Sequence, residues 1–472
     1  MKILLVTPPY DLWKQGYGSK RILRAGFFPP LGIGYLAAPL LKKGHQIKIV
    51  DAPPLAYKNE DILREALLFN ANIVGVSSLT ASAAEAYDLI KFLKEKMPGV
   101  SIILGGMHAT CFPEMTFEKV PNLDCLVYGE GEKAFEEIVE SIEQTGKIRD
   151  DISSTWMKLP SGELRKNPPA EPIMNLDEIL PPAWELYDHK IYRPLPLQYK
   201  KWPVANIITS RGCPWGRCTF CFESGRASQK YRRCSPQRAI EEIKTLVLNF
   251  GIQEVTFWDD NFLINEQWVN EFCDLLDKEK IDIPWSACAR VNTVSKSMLE
   301  RAKKAGCWCI FYGFETGNAD LLLRIKKGAT LEQAEQAVGW THGLEIDTRG
   351  SFMLALPGET PEKAMNTIKF AIKLNVTFAQ FLNTYPEWGT ELHDDAIKSG
   401  KIMHLYKGRT AVTYVPDGYK NAEEVRMMQK KAYHLFYYRW SFIAKHLQRL
   451  IKNPRLIKQY WDGIKYVLGV SS

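Results

Sequence analysis

No segment of this 472-residue sequence is apolar for long enough to cross a bilayer. Its start, Met1-Lys-Ile-Leu-Leu-Val, reads as a first β-strand and not as a secretory leader, so a cytoplasmic location is expected. Internal repeats and low-complexity tracts are also missing, which excludes solenoid, propeller and fibrous architectures. Neither sign of charge dominates: 61 Lys and Arg face 54 Asp and Glu, and the net +7 is spread along the chain. That is too diffuse for a nucleic-acid partner, though it suits an acidic substrate or a membrane surface. Cysteine is scarce as well. Ten in a chain of this length argue against a disulfide scaffold and for a reducing compartment. What remains is an ordinary globular composition, 46% hydrophobic and 24% charged, with length for two or three domains.

Three of the ten cysteines crowd into one run, Ser210-Arg-Gly-Cys213-Pro-Trp-Gly-Arg-Cys218-Thr-Phe-Cys221. Three thiolates converging from a short glycine-containing loop can hold three irons of a 4Fe–4S cluster and leave the fourth open for chemistry. The competing reading is a closed zinc site completed by Cys234. Cys307 and Cys309 flank a strand start and read as core.

The surroundings of that run are α/β throughout. Residues 1–145 alternate apolar strand runs (3–6, 47–50, 73–76, 102–104 and 125–127) with amphipathic helices such as 85–96 and 134–144, a Rossmann-like domain with its ligand at the carboxyl ends of the strands. Residues 146–198 are rich in proline (Pro168, Pro169, Pro172, Pro181, Pro182, Pro194, Pro196) and read as an irregular linker. Residues 199–400 hold six βα units, with strands at 205–209, 254–258, 286–290, 309–314, 351–356 and 378–384, which predict a partial TIM-like (βα)6 barrel. The cysteine run follows the first of these strands, so it belongs at the barrel mouth. Residues 401–472 mix aromatics (Tyr433, Phe436, Tyr437, Trp440, Phe442, Trp461, Tyr466) with bases (Arg439, Lys445, Arg449, Lys458). They predict a helical region that either caps the barrel or touches a membrane surface or lipid-like substrate.

The cysteine run resembles that of the radical S-adenosylmethionine (SAM) superfamily, whose usual spacing is C-x3-C-x2-C; here the first gap is one residue longer. Phe220, the aromatic before the last cysteine, fits too. The resemblance covers most of residues 200–400. It implies that Cys213, Cys218 and Cys221 bind the cluster and that the open iron chelates SAM, which is reductively cleaved to a 5′-deoxyadenosyl radical. It also implies a SAM shell. Asp259 and Asp260, in Trp258-Asp-Asp-Asn261, stand where the family places acceptors for the SAM amino group; the same residues also read as a helix N-cap. Arg290 could pair with a carboxylate or serve a structural ion pair. Glu315, in Gly313-Phe-Glu-Thr-Gly317, is placed near the SAM ribose or amine. The segments 350–360 and 385–390 resemble the mouth of the fifth and sixth strands.

In the first domain, Ser77-Ser-Leu79-Thr80 and Gly105-Gly106-Met-His108-Ala-Thr110 end two successive strands. Small and hydroxyl residues there let a flat ligand approach the backbone. The pair resembles the S-x-L and G-G pattern of cobalamin-binding domains, and the whole chain resembles the cobalamin-dependent radical SAM class. Near 30–35, where the usual upstream motif would supply the cobalt's lower histidine, no histidine stands. The resemblance makes Ser77, Leu79, Thr80, Gly105, Gly106 and His108 cobalamin-contact candidates, His108 as a polar contact and not as a cobalt ligand. It implies a methyltransferase that moves a methyl group from SAM, through methylcobalamin, to an unactivated carbon or phosphorus centre. The same architecture resembles oxidative ring cyclases and ring-rearranging enzymes. A small-molecule or lipid-like substrate and an electron donor such as flavodoxin or ferredoxin are the expected partners. A metal-binding protein without radical activity is the reading from another class.

Overall fold

The computed structural model describes residues 1–11, 25–225, 230–402 and 412–462. They form two compact units that divide between Pro194 and Leu195. Tyr466 lies outside the described residues. Among those described, no helix is long and apolar enough to cross a membrane.

The first unit is built on β1 (Lys2–Thr7), β2 (Gln46–Asp51), β3 (Ile73–Ser77), β4 (Ser101–Gly105) and β5 (Cys125–Val127), all parallel, in the order β2-β1-β3-β4-β5. Every expected strand is there, because each is a short, near-continuous apolar run of the kind that a two-faced parallel sheet demands. Alternate residues feed opposite cores. Leu4, Val6, Val74, Val76, Ile102 and Leu104 pack on one face, and Ile3, Leu5, Ile73 and Ile103 on the other. The order reverses between β1 and β3, and such a switch point opens a crevice beyond the carboxyl ends of the strands.

The proline-rich stretch is less irregular than its composition predicts. Its residues β6 (Thr155–Lys158) and β7 (Leu164–Lys166) pair antiparallel and extend the first sheet past β5. The prolines lie outside these strands, where no ladder donor is needed.

The second unit carries a six-stranded parallel sheet in the order β15-β14-β13-β12-β11-β8: β8 (Val204–Ile207), β11 (Glu254–Phe257), β12 (Trp285–Ala289), β13 (Cys307–Glu315), β14 (Asp347–Leu354) and β15 (Phe378–Asn383). A two-stranded ribbon, β9 (Ser210–Arg211) with β10 (Arg232–Arg233), brackets the cysteine loop. Five of the helices between strands start in the same way, the short helix Ala319–Arg324 being uncapped by a side chain. Ser235, Asn265, Ser295, Thr330 and Thr360 each accept a backbone N–H with the side chain, which satisfies an orphan donor and fixes where the βα turn ends.

β15 leaves one edge unpaired, and the helix Ala422–Tyr437 covers it with side chains. The Tyr437 hydroxyl donates to the Ala379 carbonyl at 2.7 Å and accepts its N–H at 3.1 Å; Tyr433 accepts from the Phe381 N–H, and Gln429 donates to the Phe381 carbonyl. Covering an edge in this way removes a template for wrong pairing. The next helix, Trp440–Lys452, docks through Arg449, which grips Asp347 at 3.0 and 2.5 Å. The C-terminal region is therefore a cap on the barrel.

Candidate functional site

Gly212 and Gly216 adopt positive φ of 80° and 51°, which lets the chain after β9 turn into a tight loop. The extra residue between Cys213 and Cys218 is absorbed by Trp215. Its ring leaves the loop and lodges on Gly328, where an added Cβ would lie 2.1 Å from the indole. Its Nε1 donates to the Lys326 carbonyl at 2.9 Å. The rest of the loop is pinned as well: Thr219 donates to Ile325 and accepts from Leu392 along the backbone, and the Ser224 hydroxyl bonds the carbonyls of Cys218 and Cys221. Phe220 packs on Leu321, Ile325, Met353 and Leu356, an anchor that joins the loop to the carboxyl end of β14.

The three thiols share one electrostatic neighbourhood. Burial pushes Cys221 up to about 12, with Cys218, Asp260 and Cys213 adding to the rise. Burial also raises Cys218, against the pull of Lys327 and Arg290. A thiolate in this loop therefore needs a metal cation beside it, which is the chemistry of an iron–sulfur ligand set. Among the described residues no group of three or more His, Cys, Asp or Glu side chains converges as on a single ion. A cluster takes its ligands on separate irons, and three thiols from one short loop are a donor set that fits it. Cys234, the fourth ligand of the zinc reading, is buried and its backbone N–H bonds the Thr209 carbonyl.

The expected SAM shell divides into two sorts. Asp259 is fully engaged: it accepts from the Thr209 N–H (3.0 Å), the Thr209 hydroxyl (2.6 Å) and the Ser210 hydroxyl (2.5 Å). It thus ties the end of β11 to the start of the cysteine loop. The N-cap alternative fails for this pair, since Asn265 caps the following helix. Asp260 is exposed at the end of β11, where desolvation by the surrounding protein and then Asp259 push its carboxyl up to about 6. Glu223, two residues past Cys221, is raised to about 7 by burial and by Asp260, and one carboxyl oxygen is buried without a partner.

Arg290, Lys327 and Glu315 form one network. Arg290 lies over Trp215 at 5.2 Å, reaches Cys218 Sγ at 3.8 Å and donates to the Lys327 carbonyl. Lys327 Nζ contacts Glu315 Oε1 at 2.6 Å, both side chains 8% exposed. Glu315 holds a positive φ of 65°, and its carboxylate folds over Gly313, where a Cβ would meet it at 2.6 Å. The Arg290 charge is aimed at the cluster loop, and the ion pair belongs to Glu315 with Lys327. Sequence reasoning missed Lys327, Glu223 and the Thr209–Ser210 anchor. Only a residue's place in the fold marks them, since none sits in a motif of its own.

In the first unit, Gly105 faces open space, with nothing nearer to an added Cβ than the Val127 carbonyl at 3.8 Å. Gly106 (φ +97°) is needed for a different reason: a Cβ there would strike the Ser78 carbonyl at 2.6 Å, so it allows the ends of β3 and β4 to touch. Leu79 is 65% exposed beside them, and Ser77 and Thr80 are half-buried on the same rim. An exposed apolar side chain next to bare backbone fits a large flat ligand. His108 lies beneath that rim. It is fully buried, 2.6 Å from the Tyr87 hydroxyl through Nε2, with Nδ1 buried and without a partner, and burial lowers it to about 4, so the ring is neutral. The unit's other histidines are also tied down: His45 Nδ1 lies 3.1 Å from the terminal amine and His189 bonds the Trp184 carbonyl.

The sequence matches the B12 binding domain family over residues 22–139 and the radical SAM superfamily over residues 207–371. It is 32% identical to an uncharacterized methyltransferase of Pyrococcus horikoshii over 95% of each chain. It is 27% identical to the anaerobic magnesium-protoporphyrin IX monomethyl ester cyclase of Rubrivivax gelatinosus, over 82% of this chain and 68% of that one. Against the cytidylyl-2-hydroxyethylphosphonate methyltransferase of Streptomyces wedmorensis the identity is 26%, over 85% and 82%. Solved structures that share the fold include two that cover most of this chain. A radical SAM methyltransferase from Kitasatospora setae superposes with TM-score 0.71 at 16% identity, over 92% of this chain and 88% of that one. A cobalamin-dependent SAM radical enzyme superposes with TM-score 0.71 at 18% identity, over 88% of this chain and 64% of that longer one.

Proposed function

The chain belongs to the radical SAM enzymes that carry a cobalamin-binding domain, and from that premise we propose that it is a methyltransferase acting on an unactivated carbon or phosphorus centre of a small molecule. A 4Fe–4S cluster, SAM and cobalamin are its cofactors. When bound, they supply a 5′-deoxyadenosyl radical and a transferable methyl group. What supports methyl transfer most is the similarity along 95% of the chain to a relative named as a methyltransferase.

The chain's own residues have separable tasks in this proposal. Cys213, Cys218 and Cys221 hold the cluster, and Phe220 and Trp215 fix the loop from which they project. Asp260, the acceptor at the mouth not already bonded, takes the SAM amino group. Arg290 and the Lys327–Glu315 pair set the charge beside Cys218. Leu79, Ser77, Thr80, Gly105 and Gly106 form the cobalamin rim, and His108 supports it from below. No histidine stands at residues 30–35 or on the rim with Leu79, Ser77 and Thr80, which supports a corrinoid held without a protein imidazole. Electrons come from a flavodoxin- or ferredoxin-like donor. The helix Trp440–Lys452 leaves Trp440 84%, Leu447 54% and Ile451 80% exposed, on one face by their spacing, which supports contact with a lipid surface or a lipid-like substrate.

The test is anaerobic reconstitution followed by incubation with dithionite, methyl-labelled SAM and a small-molecule extract of the source cells. Label in a small-molecule product, together with 5′-deoxyadenosine, is the expected result. 5′-Deoxyadenosine without label in any product would replace methyl transfer by cyclisation or rearrangement, the chemistry suggested by the cyclase relative. Cys218→Ala should lower bound iron well below four per chain and abolish SAM cleavage.

A further inference from the structure

The barrel sheet has an unusual distribution of exposure. Along β14, Thr348, Gly350, Phe352 and Leu354 are fully buried, while Asp347, Arg349 and Ser351 between them are half-buried. The buried set faces the helices: Thr348 meets His342, and Phe352 stacks between Phe314 and Phe381. The half-buried set therefore lines the lumen. β13 repeats the pattern, with Tyr312 bonded to Thr341 of a surrounding helix and Phe311 and Gly313 half-buried on the other face. Gln380 of β15 and Cys288 of β12 continue it. A closed eight-stranded barrel fills its interior with packed side chains; this one keeps part of that space open.

One full charge stands in that space. Arg349 is in register with Phe311 on one side and Phe378 on the other, and its guanidinium lies over the Phe311 ring at 5.1 Å. Among the described residues it has no hydrogen bond and no ion pair. The nearest carboxylate on its own strand, Asp347, is taken by both nitrogens of Arg449. The acidic groups beside it are two thiols and the Tyr437 hydroxyl, and these stay neutral: burial pushes Cys288 up to about 11, Cys309 up to about 12 and Tyr437 up as well, although Arg349 opposes all three. An uncompensated guanidinium in a confined space is costly unless an anion arrives, and its planar fork suits an oxyanion best. The ring beneath it offers a surface for a flat or apolar body.

We propose that Arg349 is a substrate-binding residue of the barrel lumen, and that the substrate carries an oxyanion, carboxylate or phosphoryl, next to an apolar or aromatic portion that rests on Phe311. The inference rests on the enzymatic reading above and narrows its substrate class. It makes the lumen a site that selects by charge in a protein whose mouth already holds the acidic Asp260 and Glu223.

The test uses the reconstituted holoenzyme with SAM present, so that the SAM carboxylate fills its own cationic site. Binding of phenylphosphonate, benzoate and the neutral benzyl alcohol is measured by calorimetry. At least one anion should bind saturably, benzyl alcohol should not, and Arg349→Gln should weaken the anion by about tenfold or more, with Arg349→Lys between. The two anions tell a phosphoryl site from a carboxylate site. Equal anion affinity in wild type and Arg349→Gln, or no binding of either anion by the wild type at millimolar concentration, overturns the proposal. Should Arg349→Gln fail to fold, phenylglyoxal labelling of the wild type, mapped by mass spectrometry, replaces it. The binding anion must shield Arg349, and unchanged labelling counts against the site. SAM cleavage by the wild type is followed in parallel. Failure of anion binding with cleavage intact removes this inference alone. Failure of cleavage, or of label transfer, removes the methyltransferase reading and leaves the binding result standing.

Discussion

In the first sheet both faces of β1, β3 and β4 are sealed, and two separate apolar cores divide their side chains between them. In the second sheet the helix-facing residues are sealed, but on the other face Phe311 and Gly313 of β13, Asp347, Arg349 and Ser351 of β14, and Phe378, Gln380 and Leu382 of β15 stay half-buried. Both are parallel α/β sheets made from similar runs of sequence. The first places its function at the strand ends, and its strands serve packing alone. The second adds the inward surface of the strands, so a residue in mid-strand, such as Arg349, can act on a ligand. Stability and chemistry are thus separated by position in one sheet and by side-chain parity in the other.

Substitutions should expose that difference, the largest effect coming from the sealed sheet. Leu5→Ala, with no solvent on either side of its strand, is expected to cost about 2–5 kcal/mol in denaturant unfolding of the first unit. A loss below that range would mean that the sheet relaxes around the gap.

The two units should next part company in their response to pH. Fully buried His108 has its affinity for a proton lowered from the ordinary 6.5 to about 4. Unfolded chain therefore takes up a proton in this window that folded chain refuses, and the group's contribution is lost as pH falls from about 6.5 to 4. Glu359, in the second unit, runs the other way. It accepts from the Ala355 N–H at 2.5 Å and from the Tyr419 hydroxyl at 2.8 Å, and burial raises it from 4.5 to about 7. Folded chain keeps a proton that unfolded chain releases, so this contribution falls as pH rises through that range. His108→Gln and Glu359→Gln should each flatten one limb of the unfolding midpoint measured from pH 4 to 8, by at most about 3 kcal/mol. A change of slope with the opposite sign for either variant would contradict the burial assigned to it.

Smaller effects concern the side of the barrel sheet that has no strand beside it. Tyr437→Phe leaves the Ala379 N–H and carbonyl without their hydroxyl and should cost about 1–3 kcal/mol, read from the second unit's unfolding. Smallest of all, Gln380→Ala on the lumen face should change stability by no more than about 0.5 kcal/mol. A cost near that of Leu5→Ala would mean that the lumen is packed after all.

Much of this was readable from the residues alone, for identifiable reasons. All five parallel strands of the first sheet and all six of the barrel announce themselves, because a strand buried between layers is a short, near-continuous apolar run. The cysteine loop is legible because its chemistry is local, three thiols within nine positions. What escaped was long-range or two-sided. The ribbon of β6 and β7 hid among prolines that flank it. Asp259 carries a motif aspartate's signature, yet its bonds run to Thr209 and Ser210, fifty residues away along the chain. His108 shares a run with two glycines, but whether its ring faces a ligand or a core depends on Tyr87 and Phe112, which pattern cannot place. Arg349 has no motif and gains its meaning only from the absence of an acid opposite it.

The tyrosine hydroxyls along β15 bear on how such a chain lives at high concentration. A hydroxyl gives and takes at once, so Tyr437 does for Ala379 what a seventh strand would do. A protease cut or an early stop before residue 422 would strip away that substitute and leave a bare ribbon of amides, ready to recruit the same ribbon from another copy. The C-terminal region thus works as the chain's guard against self-assembly, and cells making a shortened form should find it in the pellet.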